Sequence, residues 1–80
     1  MSFDINDTVR IVRLLTDERD VTGSAAEPPQ PRAGEVGTVV DDVGDGIYLV
    51  EQLTADGYTR WLAEFAREEL ELVDRSSDRD

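Results

Sequence analysis

Eighty residues make one small domain and leave no room for a second. The chain has neither cysteine nor histidine, which excludes disulfides, zinc sites built on those residues and every triad that needs an imidazole. Eight basic residues stand against nineteen acidic ones, a net charge of −11, and that charge repels phosphate backbones and anionic membrane surfaces alike.

All eight basic residues are arginine, and lysine is absent. High-GC coding gives this bias without a physical reason. A salt-adapted cytosol is the other source, since a dense acidic surface holds water. A chain so charged also repels itself. Raising sodium chloride from about 0.1 M to about 1 M shortens the Debye length from roughly 10 Å to roughly 3 Å. Thermal melts over that range are therefore expected to show a rising melting temperature, and a flat or falling one argues against self-repulsion. No apolar run approaches the roughly 20 residues that span a bilayer, and Met1-Ser2-Phe3-Asp4 has no basic n-region. A cytoplasmic location is expected.

In chain order, Asp7 to Leu15 is rich in β-branched residues, with Val9 and Ile11 able to share one face. That pattern predicts a strand over about 8–15. Residues 16–34 turn polar and carry Pro28, Pro29 and Pro31, which exclude helix and central strand. The segment reads as a long loop, either a mobile insertion or a partner-contacting one. A second strand is expected at 36–42, where Gly37 marks a bulge or bend. Asp45-Gly46 closes a hairpin into a third strand at 47–53. Asp56-Gly57 closes another into a fourth at 58–62. Ala63 to Glu69 favours one turn of α- or 3₁₀-helix. A last strand follows at 70–73, and 75–80 reads as a disordered acidic tail beyond a single domain over 1–74.

These elements predict an all-β fold. It is a small SH3-like, partly open barrel of about five antiparallel strands, with one short helical turn before the last. The expected core is Val9, Ile11, Val36, Val39, Ile47, Leu49, Leu62, Phe65 and Leu70, together with one of Tyr48 or Trp61.

Val9-Arg10-Ile11, Gly34 to Val40, Tyr48-Leu49-Val50 and Phe65 to Val73 occur in an order that resembles the SH3-like barrels of the electron-transport accessory group. That group includes the small E-type component of photosystem I, the ferredoxin-thioredoxin reductase variable chain and the nitrile hydratase β barrel. The pattern is also similar to uncharacterised bacterial SH3-like proteins and to nitrogen-fixation accessory proteins. The matching positions cover about half the chain. The resemblance implies a barrel that docks on a larger enzyme or redox partner and does no chemistry itself. The long loop is closer to the reductase chain and the hydratase barrel than to the photosystem component. A component that helps dock acidic ferredoxin should also be basic, so that docking role does not transfer.

Asp41 to Gly46 has the composition of a calcium loop, but the twelfth position from Asp41 is Gln52 and not the bidentate Glu an EF-hand needs. The segment reads as a turn. Glu51, Glu64, Glu68, Glu69 and Glu71 show no spacing that pairs two of them in a pocket, so they read as solvated surface. Arg10 and Arg13 are expected to pair with acids on neighbouring strands. Strict alternation from an inward Leu62 leaves Trp61 exposed beside Arg60. This makes Trp61, Arg60 and Tyr58 the candidate partner-binding residues.

The chain is thus expected to be a non-enzymatic protein-interaction module with no catalytic residue, metal or cofactor. Its partner is a protein, and it is a monomer or weak homo-oligomer. The alternative is a nucleic-acid-binding barrel of the ribosomal or transcription-factor (KOW) type, which the charge disfavours.

Overall fold

The computed structural model describes residues 2–76. Five strands, β1 (Thr8–Ile11), β2 (Val36–Gly44), β3 (Ile47–Leu53), β4 (Thr59–Ala66) and β5 (Leu70–Asp74), form one antiparallel sheet in the order β4-β3-β2-β1-β5. A single 3₁₀ turn, Arg67–Glu69, precedes β5. The sheet is not closed, as expected of the partly open all-β class.

Both Asp-Gly turns form for the reason the dipeptide signals. Asp45 and Gly46 each have positive φ, 58° and 76°, the twist a two-residue hairpin demands. At the second, the Gly57 N–H donates to the Thr54 carbonyl at 2.9 Å and Gly57 sits at φ 88°. This is a type I turn closed by a left-handed glycine.

The structure reverses the two faces that alternation predicts for β3 and β4. Tyr48 and Val50 face inward on β3, and Trp61, Ala63 and Phe65 face inward on β4. They join Val9, Ile11, Val39 and Leu70 in the core. Ile47, Leu49 and Leu62 point outward and are half-buried, and Val36 is exposed. Both faces of β3 are apolar, so its pattern alone does not choose between them. The helical turn expected at 63–69 shrinks to Arg67–Glu69, because residues 63–66 extend β4 against β3, with Ala63 opposite Val50 and Phe65 opposite Tyr48. Cross-strand pairing outweighs the helix propensity of Ala and Glu. β1 is also shorter than expected, and Leu15, beyond its end, is 61% exposed.

The register shifts in β2 between Val39 and Asp41 and between Asp42 and Gly44, in the β1–β5 pair between Thr8 and Val9, and in the β3–β4 pair between Gln52 and Leu53, but not at Gly37. Gly37 is glycine for a different reason. A Cβ there would lie 2.8 Å from the Glu51 carbonyl oxygen, 2.8 Å from Val50 Cγ1 and 3.2 Å from Trp61 Cη2. Two of these neighbours are core side chains and one is backbone, so none yields freely. Gly37→Ala is expected to cost about 1–3 kcal/mol by overpacking, measured as a shift in the urea midpoint at unchanged slope.

The segment 16–34 is not a loose insertion. Its Thr22 pairs with Leu62 across the outer edge of β4, N–H to carbonyl in both directions at 3.0 and 2.7 Å, and the Ser24 N–H donates to the Thr59 carbonyl at 2.9 Å. Gln30 holds the segment's two limbs together. It accepts from the Arg19 N–H at 3.1 Å and donates to the Arg19 carbonyl at 2.9 Å. Pro31 is buried and Val21 packs on the core. This strap covers a sheet edge that would otherwise present unpaired backbone groups.

Candidate functional site

Of the three residues the sequence nominates, the structure leaves two near the surface and takes one away. Tyr58 follows the Asp56-Gly57 turn and is 64% exposed. Arg60 is half-buried at an irregularity of β4 between Thr59 and Trp61, held by Glu35 and by Gln52 Oε1 at 2.5 Å. Trp61 is fully buried. Its ring tilts against Phe65 at 5.6 Å between centroids, and its Nε1 donates to Glu35 Oε1 at 3.2 Å. It therefore offers nothing to a partner. Its burial follows from the parity of β4: Phe65 points inward, and so do the residues two and four positions before it.

Tyr58 and Arg60 share the rim of an open depression of about 440 Å³ with Thr54, Ser24, Ala25 and Pro29. The Thr54 hydroxyl accepts from the Tyr58 N–H at 3.1 Å and fixes the hairpin there. The strap forms the opposite wall, so part of the proline-bearing segment lies beside the exposed tyrosine.

Three carboxylates outside the nominated site residues organise the ends of the sheet. Asp7 and Glu69 are buried, and Glu35 is half-buried. Asp7 accepts from the Asp4 N–H and the Ser76 N–H, both at 2.8 Å, and Arg75 lies 3.4 Å away. Residues 75 and 76 are thus docked and not a free tail; 77–80 lie outside the described residues. Glu69, expected at the solvated surface, instead accepts from the N–H groups of Leu15 at 2.8 Å and Ala66 at 2.9 Å. It also holds the Arg19 guanidinium in a two-pronged pair at 2.5 and 3.0 Å. Arg19 itself stacks over the Phe65 ring at 4.3 Å. Glu35 holds Arg60, accepts from Trp61 and receives the Arg32 N–H at 2.9 Å. One signal does exist for Glu69. It stands three residues after Ala66 and bonds back to that residue's N–H, as the acid of a capping box does. The box lacks its usual Ser or Thr at position 66, which hides it. Arg10 pairs with Glu71 at 2.8 Å as expected, with both side chains nearly half exposed, so the pair contributes little.

Burial pushes each of the three carboxyls upward, and hydrogen bonds more than reverse it. Asp7 is lowered by the Asp4 and Ser76 donors and by Arg75. Arg60, Arg32 and Trp61 lower Glu35. Arg19, Leu15 and Ala66 lower Glu69. A carboxyl held below its ordinary value stabilises the fold above that value, and the contribution is lost as the pH falls through the depressed one. The ordinary values are 3.8 for aspartate and 4.5 for glutamate. The melting temperature should therefore hold steady above about pH 5 and drop progressively below about pH 4.5. Melts at stepped pH check this, and a melting temperature that rises on acidification contradicts it.

Among the described residues, no group of three or more acids could hold a metal ion. Asp42 instead accepts from the Gly44 N–H at 3.0 Å as part of the turn. No helix among them is long and apolar enough to cross a membrane. The fold and its surface define an open, five-stranded antiparallel sheet strapped along one edge, with an exposed tyrosine at one hairpin. No protein-family profile matches the chain, and no curated protein or solved structure is detectably similar to it.

Proposed function

We propose that this chain is a non-enzymatic accessory module of the cytoplasm that docks on a larger enzyme or redox partner, as its resemblance to the electron-transport accessory barrels implies. The observation that carries the reading is Tyr58, a large aromatic residue 64% exposed, next to Arg60 and facing the proline-bearing strap. Tyr and Arg are among the side chains that dominate binding energy at interfaces, and a tyrosine loses little entropy on contact. The composition supports the non-catalytic half. Imidazole and thiol are both missing, and the three engaged carboxylates are committed to backbone donors and arginines. A charge of −11 favours a partner whose docking face is basic.

The test is the native complex. The tagged chain is used to isolate a stoichiometric partner, and the affinity of the purified pair is then measured with Tyr58→Ala. Tyr58 is exposed, so the variant keeps the fold, and a loss of about thirtyfold or more in affinity is expected of an interface anchor. Unchanged affinity removes Tyr58 from the interface. Retention on heparin at moderate salt, with no protein partner, supports the nucleic-acid barrel instead.

A further inference from the structure

A second depression, of about 520 Å³, runs between residues 15–22 of the strap and the outer face of β3 and β4. Its floor is apolar: Ile47, Leu49, Leu62 and Ala66 all point outward into it. Leu15 stands on its wall, 61% exposed. For outward positions of a sheet in an otherwise highly charged chain, four apolar residues in one place need a reason.

The charges around the floor are unequal. Arg19 and Glu69 line it but neutralise each other. Asp20 and Glu64 also line it, both exposed, and among the described residues neither side chain makes an ion pair. An apolar floor with two uncompensated carboxylates at its rim selects a ligand that is apolar on one side and cationic beside it. The same carboxylates repel anionic lipid and nucleic acid.

We infer that this groove binds a segment of a partner protein in which apolar side chains alternate with arginine or lysine. The inference rests on the reading of the chain as an interaction module and gives that module a second, chemically distinct contact. The apolar side chains settle on Leu49 and Leu62, and the cations reach Glu64 and Asp20.

The probe is an eight-residue peptide of alternating leucine and lysine, carrying a fluorophore and titrated with the full chain. Two controls of equal length alternate serine with lysine and leucine with glutamate. The leucine–lysine peptide is expected to bind saturably, with the controls at least about tenfold weaker. Glu64→Arg should weaken the leucine–lysine peptide about tenfold and flatten the salt dependence of its binding, since it removes an attractive charge. Leu49→Ser should weaken it similarly, and because Leu49 is half-buried its melting curve is recorded alongside; exposed Glu64 supplies the variant that keeps the fold. Equal binding of the serine–lysine peptide overturns the inference by reducing it to non-specific charge attraction, and binding indifferent to Glu64→Arg overturns it by taking the peptide away from this groove. A native partner that is lost with Tyr58→Ala but retained with Glu64→Arg leaves the module reading intact and removes the groove. No partner and no bound peptide removes both.

Discussion

Trp61→Ala is expected to cost about 3–5 kcal/mol of folding stability, because it empties the largest volume in the core. A small domain is stable by only about 5–15 kcal/mol, and for a chain of this size each kilocalorie is worth about 4–8 °C in melting temperature. The loss is therefore upwards of about 12 °C, and full unfolding near 37 °C is within reach. The side chain also donates to Glu35, so its removal leaves that carboxylate with Arg60 and the Arg32 N–H alone. Trp61→Phe keeps part of the ring packing against Phe65 and should cost less. Because Trp61 is the sole tryptophan, native emission should be blue-shifted and move red on unfolding. Red-shifted emission in the native state, or a fully stable Trp61→Ala, contradicts the burial.

Arg19→Ala should be nearly as severe, for an electrostatic reason. The Arg19 and Glu69 side chains are only 10% and 3% exposed. Removing the arginine leaves a buried carboxylate with two backbone donors and no countercharge, which typically costs about 3–5 kcal/mol. Two further contacts go with it, the stack on Phe65 and the bond to the Glu64 carbonyl at 2.7 Å. Arg19→Lys is a poor substitute, since an ammonium cannot reproduce the two-pronged geometry or the flat stack. Adding Glu69→Gln to Arg19→Ala should recover part of the loss by removing the stranded charge while keeping an acceptor for the Leu15 and Ala66 N–H groups. The strap reports the effect locally. Thr22 and Ser24 amides, bonded to β4 in the native chain, should be protected from exchange in the wild type and exposed in Arg19→Ala. Fast exchange at both in the wild type means that the strap is not held.

The arginine pair also explains why residues 16–34 read as a mobile insertion. Their composition is that of a loop, and a loop they are. What fixes them lies about fifty residues away in Glu69 and forty in Leu62, and no local pattern encodes such contacts. Glu69 looks like one of several surface acids because residue type is the same whether a carboxylate meets water or a guanidinium.

Much of the fold was legible. β-branched and apolar runs gave the first three strands, with β3 placed at its observed ends, and the apolar alternation of Leu70 and Leu72 fitted the last. The Asp-Gly pairs gave both hairpins, since few residues other than glycine occupy positive φ without strain. Phe65 belongs in the core on either reading, and its parity extends back to Trp61 once β4 is allowed to run through Ala63 to Ala66. The helix-favouring residues there end the strand too early in the sequence pattern, and the tryptophan turns outward with it. Of the candidate partner surface, Tyr58 next to a turn was readable from sequence, whereas the groove beyond it was not.

Composition, charge and turn chemistry determined by themselves that this is a small, acidic, all-β chain without imidazole or thiol chemistry. Those are properties of residues and of their nearest neighbours along the chain. Only the tertiary structure decided which face of β3 and β4 is inside, and that Asp7, Glu35 and Glu69 hold the chain's irregular segments in place. Alternation fixes which residues travel together but not the side they take. That choice is made where β2 bulges and the strands register, by which set of side chains fills the space around Gly37 without a void.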